Sequence, residues 1–358
     1  MIPALLTRVF APAALLATVV ACPVMAAYTD PLDTPASLSQ LASKTQLMDV
    51  THAGERLVAV GWRGHIIYSD DQGRTWLQAN SPVDIDLTAV TFSSAQQGWA
   101  VGHGGVILHT TDAGLTWVKQ LDGRDSGPLM LAYYEQRLKE GVPDAEKYIE
   151  DVRLNTEGGA EQPWLDALFL DDLHGYVVGT FNQIMYTADG GRSWTPQLDL
   201  VDNPESLHLN AITRQGNTLY IASERGTIFR KTPTDEHFVA LSTGYNGTLF
   251  NVIADGKRIF TLGLRGTLLR SDDDGATWVK VDTDADTALT GGLFLEDGSV
   301  LVTSQAGQLL KAGRGETVFH QLEVKRPAMF TALAPTRTSQ VVVVGTSGAN
   351  LESADTVR

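Results

Sequence analysis

The 358-residue chain carries 42 Asp and Glu against 27 Lys and Arg, giving a formal charge of -15 and a pI near 4.9. That balance excludes a nucleic-acid binder, because a phosphate backbone is gripped by clustered cations, and it argues equally against steering toward anionic lipid. With 43% hydrophobic residues, 19% charged and a mean hydropathy of -0.06 there is ample material for a packed core, and 34 Gly spread along the chain point to many short turns and a large all-β unit.

Met1 to Ala27 opens with Arg8, continues through the apolar stretch Val9 to Val20 and ends in small residues, which is the pattern of an export signal over residues 1–26. Val24-Met25-Ala26 suits signal peptidase, with cleavage before Ala27. The rival reading is the lipobox-like Val19-Val20-Ala21-Cys22, which would make Cys22, the single Cys of the sequence, a lipid-bearing first residue. Either route predicts an exported, periplasmic protein. No later segment reaches 18 consecutive apolar residues, so no membrane span is expected, and residues 27–358 read as one domain without disulfides.

From Leu47 onward a short Gly-containing turn recurs about every 41 residues. The copies are Gly61-Trp62-Arg63-Gly64, Gly102-His103-Gly104-Gly105, Gly179-Thr180-Phe181-Asn182, Ser223-Glu224-Arg225-Gly226, Gly263-Leu264-Arg265-Gly266, Ser304-Gln305-Ala306-Gly307 and Gly345-Thr346-Ser347-Gly348. One interval is longer by about 36 residues and marks an insertion. Around each turn the apolar pattern has period 2, as half-buried strands require. First strands are predicted at Leu47–Val50, Leu87–Thr91, Leu165–Phe169, Leu209–Ile212, Leu249–Ile253, Leu289–Leu295 and Phe330–Leu333. Four antiparallel strands per unit, seven times over, predict a seven-bladed β-propeller. The seventh unit has room for only three strands, so the segment Tyr28 to Leu38 is expected to supply the fourth and close the ring.

A second motif, Ser/Thr-x-Asp-x-Gly-x-Thr/Ser-Trp, separates third from fourth strands at Ser69–Trp76, Thr110–Trp117, Thr187–Trp194 and Ser271–Trp278. Its Asp can accept backbone N–H bonds, its Gly can take a positive φ and its Trp can fill the gap between sheets. Asp71, Asp112, Asp189 and Asp273, with Trp76, Trp117, Trp194 and Trp278, are therefore expected to be structural. Four equivalent Asp at four blade perimeters cannot converge on one substrate, and Ser271-Asp272-Asp273-Asp274-Gly275 lacks the alternation of a calcium loop. The motif resembles the bacterial neuraminidase (Asp-box) repeat. With seven units and Gly-x-Arg-Gly turns, the chain resembles the photosystem II stability/assembly-factor family of seven-bladed propellers, which has bacterial members without photosynthesis. That resemblance implies a non-enzymatic propeller holding a membrane-protein partner through an arginine patch on one face, in a thylakoid-lumen-like compartment if the host is photosynthetic.

Strand order places the Gly-containing turns on the same rim as the inter-blade linkers, with the Asp boxes on the other rim. Arg63, Arg225 and Arg265 thus share a rim with the insertion at about 122–163, where Leu129–Lys139 and Asp144–Val152 have helical spacing and Asn155–Gln162 reads as loop. His103, His208 and Tyr245 join them as candidate partner-binding residues. Two accounts of the Arg residues stand side by side: capture of a protein partner, an envelope membrane protein or its unassembled subunit, or pairing with acidic neighbours across blade boundaries.

An alternative function is a carbohydrate-active hydrolase, sialidase-like or glucanase-like, with Asp202, Glu205 and Glu224 as candidate rim carboxylates. Against it, the Phe/Tyr-Arg-Ile-Pro segment of sialidases is missing and a single propeller offers no inter-propeller groove. No HExxH, no clustered His and no phosphate-cradling loop ahead of a helix is present, so no metal and no cofactor is implied.

Overall fold

A computed structural model describes residues 29–355. The export signal, the cleavage site and Cys22 lie outside the described residues. Seven antiparallel sheets stand in chain order around an axis, six of four strands and one of three. The first strands are Leu47–Ala53, Leu87–Phe92, Trp164–Phe169, Leu209–Gln215, Leu249–Asp255, Leu289–Phe294 and Phe330–Pro335. Each touches the first strand of the next blade and the last touches the first, so they line the axis and the ring is closed. Second strands such as Gly98–Gly102, Gly175–Gly179 and Val300–Ser304 are buried at every position, the burial of sheets covered on both faces. The core is accordingly divided into clusters between blades, for example Val58, Val60, Val90, Ala100, Leu108 and Trp117 between the first and second.

Every seam between neighbouring first strands carries a side-chain bond to backbone. Asp49 Oδ2 accepts from Val90 N–H at 2.9 Å, Thr88 Oγ1 donates to the Trp164 carbonyl at 2.7 Å, and Asp166 Oδ2 accepts from Ile212 N–H at 2.8 Å. Asn210 donates to Leu249 at 2.9 Å, Asn251 to Thr290 at 3.2 Å, Thr290 to Phe330 at 2.9 Å and Thr331 to Leu47 at 2.9 Å. These bonds form a polar ring around the axis, inside the apolar clusters, and its last member joins blade 7 to blade 1.

The N-terminal segment departs from the expected closing strand. Tyr28 lies outside the described residues, and the segment that follows forms a 3-10 turn at Pro31–Asp33 before running over blades 1 and 2, where the Pro31 carbonyl accepts from Asp84 N–H and Ala36 N–H donates to Ser81. Pro31 and Pro35 lack the N–H groups that a ladder needs. A second 3-10 turn, Ala42–Lys44, reaches the top of blade 7, where a Cβ at Gly348 would collide with the Ser43 carbonyl. Among the described residues blade 7 therefore has three strands.

The insertion is a helical hairpin between blades 2 and 3: α1 spans Gly123–Lys139 and α2 spans Ala145–Thr156. Helix α1 starts six residues before the expected Leu129 because Asp122 caps it, accepting from Arg124 N–H at 3.0 Å. Gly127 and Pro128, which lie ahead of the expected start, sit inside it. A Cβ at Gly127 would press on Thr156 Cγ2 at 2.9 Å, so the glycine serves the close approach of the two helices.

A candidate partner-binding rim

The Asp boxes and the first-to-second-strand turns occupy one rim. In each box the hydroxyl of the first residue accepts from the Gly N–H and donates to the Asp, and the Asp accepts from the N–H and hydroxyl of the penultimate residue: Thr75 N–H at 2.8 Å and Thr75 Oγ1 at 2.6 Å on Asp71. Asp112, Asp189 and Asp273 repeat these bonds with Thr116, Ser193 and Thr277. The Thr75 hydroxyl and N–H hold the Asp71 carboxyl down at about 2, and Thr277 holds Asp273 in the same way. Trp76, Trp117 and Trp278 each donate Nε1–H to the Gly carbonyl of their own box, whereas buried Trp194 Nε1 has no partner among the described residues. These carboxylates are consumed within their own turns.

The opposite rim carries the second-to-third-strand turns, packed on the linkers. Trp62 N–H donates to Gln46, His103 N–H to Asp86 and Leu264 N–H to Thr248. In five turns the third position is left-handed: Arg63 at φ 55°, Gly104 at 65°, Phe181 at 52°, Arg225 at 52° and Arg265 at 54°. Only glycine adopts this region without strain, so four side chains are held there by the packing around them. The glycine that follows each Arg explains the packing. A Cβ at Gly64 would collide with the Val83 carbonyl, at Gly226 with that of Tyr245 and at Gly266 with that of Ala285. The linker thus closes onto the turn and fixes where each guanidinium leaves the surface.

The three Arg are not equivalent. Arg63 is bidentate to Asp84, at 3.1 and 2.9 Å, and its N–H donates to Asp86 at 2.8 Å; the Asp84 carboxylate raises its affinity for the proton. Arg225 pairs with Glu205 of the preceding linker. Arg265 is exposed and has no carboxylate partner among the described residues. Pairing across linkers therefore accounts for two of the three, with both guanidinium groups still mostly in solvent, where such pairs are weak.

Around Arg225 the fold gathers several of the expected residues. His208 Nδ1 accepts from Phe181 N–H at 2.8 Å, and the two rings meet edge to face at 4.6 Å. His208 N–H donates to Glu224 Oε2 at 2.9 Å. Phe181, Glu205, Leu207, His208, Glu224 and Arg225 line a shallow cleft of about 370 Å³. Tyr245 lies in the next linker, its carbonyl against Gly226 and its hydroxyl donating to the Leu264 carbonyl at 3.3 Å, which ties the Arg225 and Arg265 turns together. Arg63 and His103 belong to blades 1 and 2, on a different arc of the rim beside the N-terminal segment. Phe181 was legible only as an occupant of the Arg slot; its exposure beside a histidine is a property of the folded rim. Glu205 and Glu224, candidates for a hydrolytic pair, are engaged by Arg225 and by the His208 backbone, and Asp202 is exposed and not paired with either.

The hairpin stands on the same rim. Tyr134 of α1 donates its hydroxyl to Asp199 at 2.8 Å and accepts from Leu198 N–H at 2.8 Å; burial pushes this phenol far above its ordinary value. At the base Arg124 bridges Asp33 of the N-terminal segment and the capping Asp122, and Lys119 contacts both carboxylates. The Arg124 and Lys119 bonds hold Asp33 well below the usual carboxylate range.

The model of the photosynthesis system II assembly factor YCF48 family matches residues 32–128 and 145–242, more than half of the chain. The chain belongs to this family. It is 31% identical over 160 residues to the photosystem II assembly lipoprotein Ycf48 of Synechococcus sp. (strain CC9902), a match covering 43% of this chain and 48% of that one, so the chain spans about half the length of this curated relative. Among solved structures it resembles YCF48 bound to D1 peptide, at 18% identity and TM-score 0.65 over 91% of this chain and 97% of that one. It also resembles YCF48 from Cyanidioschyzon merolae, at 15% identity and TM-score 0.63 over 88% and 98%, and the WD40 propeller of Doa1, at 10% and 0.61 over 91% and 97%. At these identities the structural likeness establishes the seven-bladed fold. Membership of an assembly-factor family makes the chain a non-enzymatic propeller. The matched segments stop at residue 128 and resume at 145, leaving most of α1 and the hairpin tip between them.

Proposed function

We propose that this chain is an exported assembly factor that holds a segment of a membrane-protein partner, or of its unassembled subunit, on the rim carrying Phe181, His208, Arg225, Tyr245 and Arg265. It acts in the periplasm, or in a thylakoid-lumen-like compartment if the host is photosynthetic, free after cleavage before Ala27 or tethered through Cys22. Among the described residues no helix is long and apolar enough to cross a membrane. The observation that carries the reading is the set of left-handed Arg turns, each locked by a glycine under a linker, which hold guanidinium groups at fixed points of a protein with charge -15. A relative whose solved complex contains a D1 peptide lends the reading a precedent for a protein ligand. Guanidinium groups at set positions favour a segment bearing carboxylates, and binding should weaken as salt rises. The test is capture from the native membrane fraction with tagged protein and with an Arg63→Ala, Arg225→Ala, Arg265→Ala triple variant. Loss of one membrane subunit from the captured set, at unchanged Tm, supports the reading. Unimpaired capture, or a large fall in Tm, assigns the three Arg to blade packing.

A further inference from the structure

The seventh sheet ends on the strand Gly348–Ser353, which pairs with Gln340–Gly345 on one side and, among the described residues, with no strand on the other. In the other six blades the third strand is covered by a fourth that begins directly after an aromatic residue: Trp76, Trp117, Trp194, Phe238, Trp278 or Phe319. Gly345 and Gly348 pair across a two-residue turn, so the N–H and C=O groups of Ala349 and Leu351 point away from the partner strand. Among the described residues no hydrogen bond reaches either residue from the outer side.

Two clefts bracket this edge. Near the end of the strand, Phe294, Leu295, Lys311, Pro335 and Ala354 line a cleft of about 470 Å³ between blades 6 and 7. Near its start, Leu38, Ala42, Ser43, Trp76 and Leu77 line one of about 450 Å³; Ala42 and Trp76 share an apolar cluster with Leu351, and the Ser43–Lys44 backbone abuts Gly348. A chain running from the first cleft to the second would follow the direction of every fourth strand in the ring. Its leading side chain would meet Phe294, Leu295, Pro335 and Ala354 in a cleft that Glu296, Asp297 and Asp355 also line, which places an aromatic and not a carboxylate at that end. Lys44, whose backbone abuts Gly348, and Arg74, which follows the Gly73 that packs toward Leu351, are exposed and without carboxylate partners among the described residues, in a protein with a large negative charge.

We propose that the outer edge of this strand at Ala349 and Leu351 is a strand-addition site, which takes an extended, acidic, aromatic-led segment of a partner protein as the fourth strand of blade 7. The site is separate from the Arg rim and does not rest on the reading of that rim. Backbone pairing with Ala349 and Leu351 supplies affinity, the leading aromatic sets the register, and Lys44 and Arg74 select for carboxylates.

The probe is a synthetic peptide copying residues 276–283 of this chain, the fourth-strand segment of blade 5, together with its Lys280→Glu and Trp278→Ala forms. Each is added to the full-length protein and amide hydrogen exchange is followed. The Leu351 amide should exchange about tenfold more slowly with saturating Lys280→Glu peptide, and the other two forms should bind at least about threefold more weakly. A Lys44→Glu, Arg74→Glu variant, both changes being at exposed positions, should reverse the preference between Lys and Glu at peptide position 280. Equal binding by all three peptides, or no protection at millimolar peptide, overturns the proposal. So does a Leu351 amide already protected in the free monomer, which would mean that the chain covers its own edge, or protection that grows with protein concentration alongside a dimer in sedimentation, which would make the occupant a second copy.

Discussion

Two carboxylates of the axial ring set the pH dependence of this fold. Burial pushes the Asp166 carboxyl up to about 7 and the Asp49 carboxyl up to about 6, against 3.8 for a free side chain; the bonds from Ile212 and Val90 N–H oppose the shift only in part, and the Asp49 charge raises Asp166 further. A group whose native affinity for the proton exceeds its unfolded one contributes stability that is complete below about pH 4 and lost as pH rises through 6 and 7. For Asp166 alone the ceiling is about 4 kcal/mol, and the partial exposure of both residues together with the coupling to Asp49 reduces the expected net effect of both to about 2–3 kcal/mol. His65 and His109, whose affinity for the proton is lowered by burial, work in the opposite direction below about pH 6.5, so the window from pH 8.5 to 6.5 isolates the carboxylates. Urea unfolding across that window should show stability rising as pH falls. In an Asp49→Asn, Asp166→Asn variant the side-chain oxygen still accepts from Val90 and Ile212, the slope should flatten, and stability at pH 8.5 should increase by about 2 kcal/mol. Parallel profiles for the two proteins would refute this reasoning.

Three further outcomes follow from the same geometry. Gly226→Ala places a Cβ against the Tyr245 carbonyl at a φ of 66° and should cost at least about 2 kcal/mol, read as a fall in Tm, while Gly216→Ala, with open space around it, should cost about 1 kcal/mol through its positive φ alone. Tyr134→Phe leaves Asp199 and Leu198 N–H without their common partner and should cost about 1–3 kcal/mol, with faster amide exchange confined to α1 and α2. Asp112→Ala removes the acceptor for Leu115 N–H, Thr116 N–H and the Thr116 hydroxyl and should destabilise blade 2 by about 1–2 kcal/mol, measured by urea unfolding.

The repeat was legible because it is redundant. Seven turns at one spacing and four Asp boxes fix strand order, and every expected first strand appears at its place. Boundaries failed where one residue's role depended on a distant neighbour. The expected helix began at Leu129, and only with Thr156 packed against Gly127 is the preceding turn seen to belong to it. The Arg slots were legible as positions, but their partners, Asp84 on the following linker for one and Glu205 on the preceding linker for another, depend on linker conformations that no local pattern encodes. Phe181 and His208 lie 27 residues apart and carry no shared motif.

The expected closing strand rested on a sound premise, that a ring must seal its last seam, applied to a ring that seals each seam in another way. Thr88, Thr290 and Thr331 occupy the second position of their inner strands and Asn210 does the same in blade 4, while Asp49, Asp166 and Asn251 occupy the third; each reaches the backbone of the next blade. The seam between blades 7 and 1 is built like the rest, through Thr331 on Leu47, with His52 Nε2–H donating to the Pro335 carbonyl at 2.8 Å and Arg337 N–H to Gln72 at 2.9 Å. Closure at the axis relieves the outer strand of blade 7 of that duty. The N-terminal segment is then available to cross the rim, where Asp33 meets Arg124 at the base of the hairpin. The segment around Asp33 therefore braces the insertion on the Arg rim, and a single ionic clasp joins these two irregular elements outside the repeat.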